Sequence, residues 1–322
     1  MGTLSNIPIL KGLFGAQPGA PLTIRSARPE EFDSAVRLLL ASHSYSIEEH
    51  QIQEFVRMAI MHHSNAGGLM VAEAAGRMVS AAMPVTSPGR TMLVFIPNII
   101  AGELQAEATR QLVEQVCVGG KADGIHLAQS LLDPEHSAAI AIMAAAGFRH
   151  IAQLLYLQAS SARSARTGDL PAGYRWEHYS PATHALFARA VLDTYEQSLD
   201  CPAISGLRDI DDVIAGHRAT GEFDPSLWFA VCFGEDPAGV LILSPAQHGQ
   251  MLELVYVGLV PAYRGRGLGD LLMRKALETA AERGAASLSL AVDAANKPAL
   301  NLYWRHGLRT VGRKNAMMRD LR

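Results

Sequence analysis

Cysteine is scarce: Cys117, Cys201 and Cys232 are the only three in 322 residues, and they lie far apart. An odd, scattered set builds neither a disulfide framework nor a zinc spacing, and it fits a reducing cytoplasm, the location expected. Histidines are more numerous, but neither His62-His63 nor His43 with His50 forms an HExxH pattern or joins a cysteine, so no metal is expected. Aromatics make up 6% of the chain and the formal net charge is -3. With no basic stripe interleaved with aromatics, no nucleic-acid partner is expected. No apolar run approaches the ~20 residues a membrane-spanning helix needs, so no membrane association is expected either. The first twenty residues scatter Gly and Pro and lack a continuous apolar stretch, which argues against a secretory leader. Met1-Gly2 opens like a myristoylation signal, but Asn6 stands where that signal needs Ser or Thr.

What is present is an ordered, globular composition, 49% hydrophobic and 18% charged. A chain of 322 residues is long for one core and natural for two. It also reads nearly the same way twice. Each copy opens with a short strand, LTIRSA at 22–27 and YRWEHYS at 174–180, and each then starts a helix at a proline, Pro29 or Pro181. A second helix follows, then three strands, a helix, a strand, a short helix and a last strand. The end of the second copy, LRTVGRKNAMMRDL, is compatible with one strand or a hairpin. A segment rich in Ser, Ala, Arg and Gly separates the copies. The expected organisation is an extension over 1–21, a first domain over 22–158, a linker over 159–171 and a second domain over 172–322. The fold class is α/β (α+β), each domain a mixed central sheet flanked by helices.

The strongest local signal lies in the second copy, VGLVPAYRGRGLGDLLMRKAL. An apolar strand stops at Pro261, then Arg264, Gly265, Arg266, Gly267, Leu268 and Gly269 lead into an amphipathic helix. Strand, glycine turn and helix suit a pyrophosphate: glycines let the backbone approach the oxygens, and the helix N-terminus presents free N–H groups with a partial positive charge. Arg264 and Arg266 can add forked contacts. A dinucleotide fingerprint would need glycine where Asp270 stands, and the Gly-Lys-Ser/Thr of a P-loop is absent. The competing reading is a glycine turn that merely caps a helix.

Two motifs in order decide between these. Arg264, Gly267 and Gly269, preceded by Val260-Pro261, match Gln/Arg-x-x-Gly-x-Gly/Ala. Farther on stand Asn296, Ala299, Leu302-Tyr303 and Gly307, with Leu308 in place of a family Phe. Here the sequence resembles the GNAT (Gcn5-related N-acetyltransferase) superfamily, by motif over 172–322 and by element order alone over 22–158. The resemblance implies acetyl-CoA as the acyl donor, held by the turn, by Asn296 and by backbone near Leu259 and Val260, where the strand should part from its neighbour and offer N–H groups to the carbonyl. Asn296 can equally be the N-cap of its helix.

Amine attack on a thioester is helped by a base for the amine and an acid for the departing thiolate. Glu253 is a lone carboxylate on the apolar strand before the turn, costly there without a task or a partner. Strict alternation places it on a face with Val255, Val257 and Leu259. Histone-acetylating relatives carry a base glutamate at this place, although others use a water chain. Tyr303 is the candidate acid by the same resemblance; an aromatic anchor of its helix is the alternative. Cys201 and Cys232 have no paired histidine at a recognisable spacing, so direct transfer in a ternary complex is expected.

The first copy repeats the proline, as Pro97, but follows it with only Gly102 and then Glu103, whose charge opposes a diphosphate. It reads as a degenerate domain without CoA, left to pack, to cover the acceptor site or to form a homodimer. The acceptor is expected to be a small-molecule or peptide amine, and Tyr195, Asp200, Cys201 and Arg208 lie in the loop region where this family builds its acceptor wall. Two further readings stay open: a CoA-binding sensor or regulatory protein without turnover, and a protein acetyltransferase docking its partner through the first domain.

Overall fold

The computed structural model describes residues 21–41, 48–62, 68–98, 100–161, 167–204, 206–246 and 250–322. The N-terminal extension to residue 20, linker residues 162–166, His43 and His63 lie outside them. The chain forms two compact units. One holds the residues up to Ile151 together with Lys314–Arg322; the other is Ala152–Arg313.

The first unit runs β1 (Leu22–Ser26), α1 (Phe32–Leu40), α2 (Glu49–His62), β2 (Met70–Ala74), β3 (Arg77–Ser87), β4 (Thr91–Phe95), α3 (Glu103–Ala122), β5 (Leu127–Leu132), α4 (Ser137–Ala145) and the start of β6 (Arg149–Ser160). The second repeats that order with β7 (Tyr174–His178), α5 (His184–Thr194), α6 (Ile210–Arg218), β8 (Trp228–Phe233), β9 (Asp236–Ala246), β10 (Met251–Leu259), α7 (Leu268–Glu282), β11 (Ser287–Asp293), α8 (Lys297–Arg305) and β12 (Arg309–Asp320). This is the mixed α/β order read from the repeat. The last segment is one strand and not a hairpin: Gly312 does not enter the left-handed region a tight turn would require.

Sequence copies and compact units do not coincide at their last strands. In the second unit β6 pairs antiparallel with β11, from Ser160↔Ser287 to Leu154↔Asp293. In the first, the end of β12 pairs with β5, from Asn315↔Leu132 to Asp320↔Leu127. Each unit is thus closed by a strand from the other half of the sequence, and the two strand orders, β1-β2-β3-β4-β5-β12 and β7-β8-β9-β10-β11-β6, are equivalent.

Both sheet faces of the second unit are covered. Leu268, Leu272, Met273, Ala276 and Ala280 of α7 join Leu252 and Leu254 of β10 and Leu288 and Leu290 of β11 in one cluster. Phe187, Ala190 and Val191 of α5 pack with Trp228, Val240 and Ile242 on the other face. Helices anchored on both faces hold the ends of β10 and β11 in place, and the candidate site lies there.

Candidate active site

β10 and β11 are parallel, but their pairing runs only from Met251↔Ser287 to Glu253↔Ser289. β10 continues to Leu259 and β11 to Asp293 without further pairing, so the two strands part and leave a slot. The partner on the other side of β10, β9, stays paired to the end, with one irregularity between Leu254 and Tyr256. A bulge there adds one residue and reverses the facing of all that follow.

That bulge corrects the reading of Glu253. Leu252 and Leu254 before it, and Val257 and Leu259 after it, all pack on the α7 face, while Val255 and Tyr256 turn to the α5 face. Glu253, pointing opposite to Leu252 and Leu254, therefore keeps company with Val255 and Tyr256 and not with Val257 and Leu259. It is half-buried at the last rung before the strands part. Burial raises its carboxyl above the ordinary value, which disfavours the charged form.

The backbone at the end of β10 is also divided. The Val260 N–H donates to Ala238 O at 3.0 Å and is occupied. The pleat turns the Leu259 N–H to the opposite edge, toward the slot. Of the two positions read from the sequence, Leu259 is the one whose amide faces the open side.

The turn itself is built as a glycine turn must be. Gly265 (φ 74°) and Gly267 (φ 81°) are left-handed, and a β-carbon on either would meet nothing within 4 Å. Conformation, not crowding, calls for these glycines, and the space beside them is open to a bulky anion. Gly267 is the N-cap of α7 and offers no side-chain cap. The residues therefore fit a diphosphate: open space, glycine backbone and a helix N-terminus meet at one place. Gly269 packs against Leu302 of α8, where a β-carbon would come within 3.2 Å. Arg266 is exposed, its guanidinium 5.5 Å from the Tyr263 ring centre.

Arg264 does not reach into that space. Its Nε donates to Leu259 O at 2.9 Å, Nη1 to Gln197 O at 3.1 Å, and Nη2 to Thr194 O at 3.1 Å and Glu196 O at 2.7 Å. The guanidinium ties the turn to the C-terminal end of α5, where a cation also complements the helix dipole. Asp270, in the first turn of α7, would oppose an anion, but Arg305 at 3.2 Å and His306 at 3.0 Å draw its carboxylate toward α8. Burial alone would raise the Asp270 carboxyl; these two partners hold it below the ordinary value.

Tyr303 of α8 is 6% exposed. Burial, reinforced by the nearby Asp200 charge, pushes its phenol well above the ordinary range, so it stays protonated. Asn296 is the N-cap of α8, its Oδ1 accepting from Ala299 N at 3.3 Å. Tyr256, which the sequence reading passed over as a strand residue, bonds Thr194 Oγ1 at 2.7 Å and stacks near His217, ring centres 5.3 Å apart. Burial, then the Arg208 charge, lowers the His217 imidazole to about 4. Burial, then the Asp200 and Asp293 charges, push the Cys201 thiol up to about 12, which disfavours the thiolate form. Among the described residues no group of three or more His, Cys, Asp or Glu is placed to hold a metal, and no helix is long and apolar enough to cross a membrane.

The first unit lacks the turn. β4 and β5 pair in parallel from Thr91↔Leu127 to Leu93↔Gln129 and then part, as in the second unit. At the start of α3, however, buried Gln105 folds back, its Oε1 accepting from Ala101 N at 2.5 Å. Glu103 occupies the first turn.

The chain that carries this parted pair and glycine turn is similar to several known proteins. The Acetyltransferase (GNAT) family matches residues 191–308. The tandem GNAT protein from the clavulanic acid biosynthesis pathway superposes over 94% of this chain and 99% of its own, with a TM-score of 0.55 at 15% identity. Residues 191–308 thus match the GNAT family, and the chain as a whole shares the fold of a tandem GNAT protein. Among curated relatives, the mycothiol acetyltransferase of Clavibacter sepedonicus is 32% identical over 194 residues, 54% of this chain and 57% of that protein. The streptothricin acetyltransferase of Streptomyces lavendulae is 36% identical over 94 residues, 29% of this chain and 50% of that protein. The chain thus spans about half the length of the curated relatives it matches. The family match falls entirely inside the unit that carries the glycine turn.

Proposed function

We propose that the protein is an N-acetyltransferase that moves an acetyl group from acetyl-CoA to the primary amine of a small molecule, by direct transfer in a ternary complex in the second unit. The observation that carries this reading is the parting of β10 from β11 immediately before the Gly265–Gly267 turn and the uncapped start of α7. Backbone of Gly265 to Gly269 would hold the diphosphate, with Arg266 as an exposed cation beside it, Arg264 as the brace of the turn and Asn296 beside the slot. The Leu259 N–H would receive the thioester carbonyl oxygen, where fixed donors act most strongly on the charge that develops.

In this reading Glu253 takes the proton from the amine nitrogen as that nitrogen bonds to the carbonyl carbon. The carbon–sulfur bond breaks, and Tyr303 gives its hydroxyl proton to the departing sulfur. A carboxyl raised by burial is a better proton acceptor than an ordinary one; the Tyr303 phenol has its proton in place, but burial makes it a weaker acid, so it donates only as charge builds on the sulfur. A Cys201 thiol that burial keeps from ionising supports direct transfer over a covalent intermediate. Gln105 and Glu103 at the start of α3 support the view that the first unit takes no CoA.

Relatives named for streptothricin and mycothiol support a small-molecule acceptor. The experiment is acetyl-CoA consumption against a library of amines including streptothricin, with an acceptor-free control. Acetylated product in stoichiometric amount supports the reading. Tight acetyl-CoA binding with no turnover on any amine would instead support the sensor alternative.

A further inference from the structure

Resting on that reading, we infer that Tyr156 is the positioning residue of Glu253: its hydroxyl donates to the carboxylate, directly or through one water, and fixes it for proton transfer. Tyr156 stands on β6, the strand that the first sequence copy lends to the second unit, so both halves of the sequence supply one site. The strand register brings the two residues together. Glu253 of β10 is level with Ser289 of β11, Ser289 with Gln158 of β6, and Ala291, two residues on, with Tyr156. Residues level with one another share a sheet face, as do alternate residues along a strand. Glu253, Ser289, Ala291, Gln158 and Tyr156 therefore lie on one face. Their chain neighbours agree: Leu254, Leu288, Leu290, Leu155 and Leu157 all pack on the opposite face, with α7.

β10 and β6 lie two strand spacings apart, about 10 Å, a span that a tyrosine and a glutamate reaching toward each other close to hydrogen-bonding distance or to the width of one water. Only the small side chains of Ser289 and Ala291 form the floor between them, and Ala291 is exposed. The other long polar side chains of that face are spent. Gln158 Nε2 donates to Ser287 Oγ at 2.8 Å, and the Tyr256 hydroxyl bonds Thr194 Oγ1 at 2.7 Å. Among the described residues neither the Glu253 carboxylate nor the Tyr156 hydroxyl has a hydrogen-bond partner, and burial, with no charged neighbour, raises the Glu253 carboxyl. Tyr156 is half-buried, and its phenol is raised by burial and then by the Glu253 charge. A half-buried carboxylate without a donor is costly to ionise, and the Tyr156 phenol is the long-reaching donor left on its face.

Tyr156→Phe keeps the ring and removes only the hydroxyl. On the full chain, with acetyl-CoA and the amine that gives the fastest turnover, kcat is expected to fall about 10-fold, the worth of one charged hydrogen bond. The KM for acetyl-CoA and the thermal midpoint should stay as in wild type. In a Glu253→Gln background the same change should cost nothing further, because the two residues act as a unit. A second readout needs no turnover: NMR titration of isotope-labelled glutamate carboxyls, with the Glu253 signal identified by its loss in Glu253→Gln. Removing a donor to the charged form should move the Glu253 midpoint to higher pH in Tyr156→Phe. An unchanged kcat, additive losses in the double variant, or an unmoved Glu253 midpoint would overturn the assignment. So would a shift on Ser289→Ala with none on Tyr156→Phe, which would give the role to the adjoining serine. No turnover on any amine would remove the transferase reading alone, because the titration still decides whether Tyr156 holds Glu253.

Discussion

The guanidinium of Arg264 donates to the carbonyl oxygen of Glu196 at 2.7 Å, linking the glycine turn to the end of α5. Three more carbonyls, those of Thr194, Gln197 and Leu259, complete its set. Arg264 therefore acts as a strut between the glycine turn and the loop that follows α5.

Arg264→Lys should fail to replace it, because an ammonium cannot span four carbonyls in fork geometry. Arg264→Ala is expected to cost about 2–4 kcal/mol in urea unfolding, chiefly from the charged hydrogen bonds lost at the partly buried Leu259 and Thr194 carbonyls. A loss below about 0.5 kcal/mol, the range of an ordinary surface change, would show that the strut is idle.

Tyr303→Phe should lower kcat by about 10²- to 10⁴-fold, the usual cost of losing a general acid. Acetyl-CoA affinity should stay the same, since only the hydroxyl is removed. Full activity with a lower thermal midpoint would make Tyr303 an aromatic anchor of α8.

Much of the fold was legible in the letters. Prolines opening α1 and α5 and apolar spacing marked the repeated order. The bulge at Val255 was not legible. After Leu254 the strand reads VYVGLV, apolar on both faces, so no polar alternation betrays the reversal that moves Glu253 away from Val257. The strut was equally hidden, because an arginine beside glycines reads as a phosphate ligand until its side-chain direction is known. The Asp200–Asp293 contact joins residues far apart in sequence, a pairing no local pattern encodes.

Glu253→Gln should abolish the acid limb of the kcat/KM profile. Glu253 accepts a proton only when ionised, and burial raises its carboxyl, so wild-type activity should fall as pH drops through a midpoint above 4.5. The same group bears on stability. A carboxyl raised in the fold favours folding most below its unfolded pKa and loses that contribution as pH rises through the folded value. Glu253→Gln should therefore raise the thermal midpoint at neutral pH while lowering the rate. Identical pH profiles for the two proteins would make Glu253 structural.

Isothermal titration of the full chain with acetyl-CoA bears most directly on the central claim, that one parted strand pair with a glycine turn holds the cofactor and its degenerate counterpart does not. One molecule should bind per chain, and Gly267→Asp should abolish binding, because it puts a side chain and a negative charge at a left-handed position facing open space. Two molecules per chain, or undiminished binding by Gly267→Asp, would contradict the account.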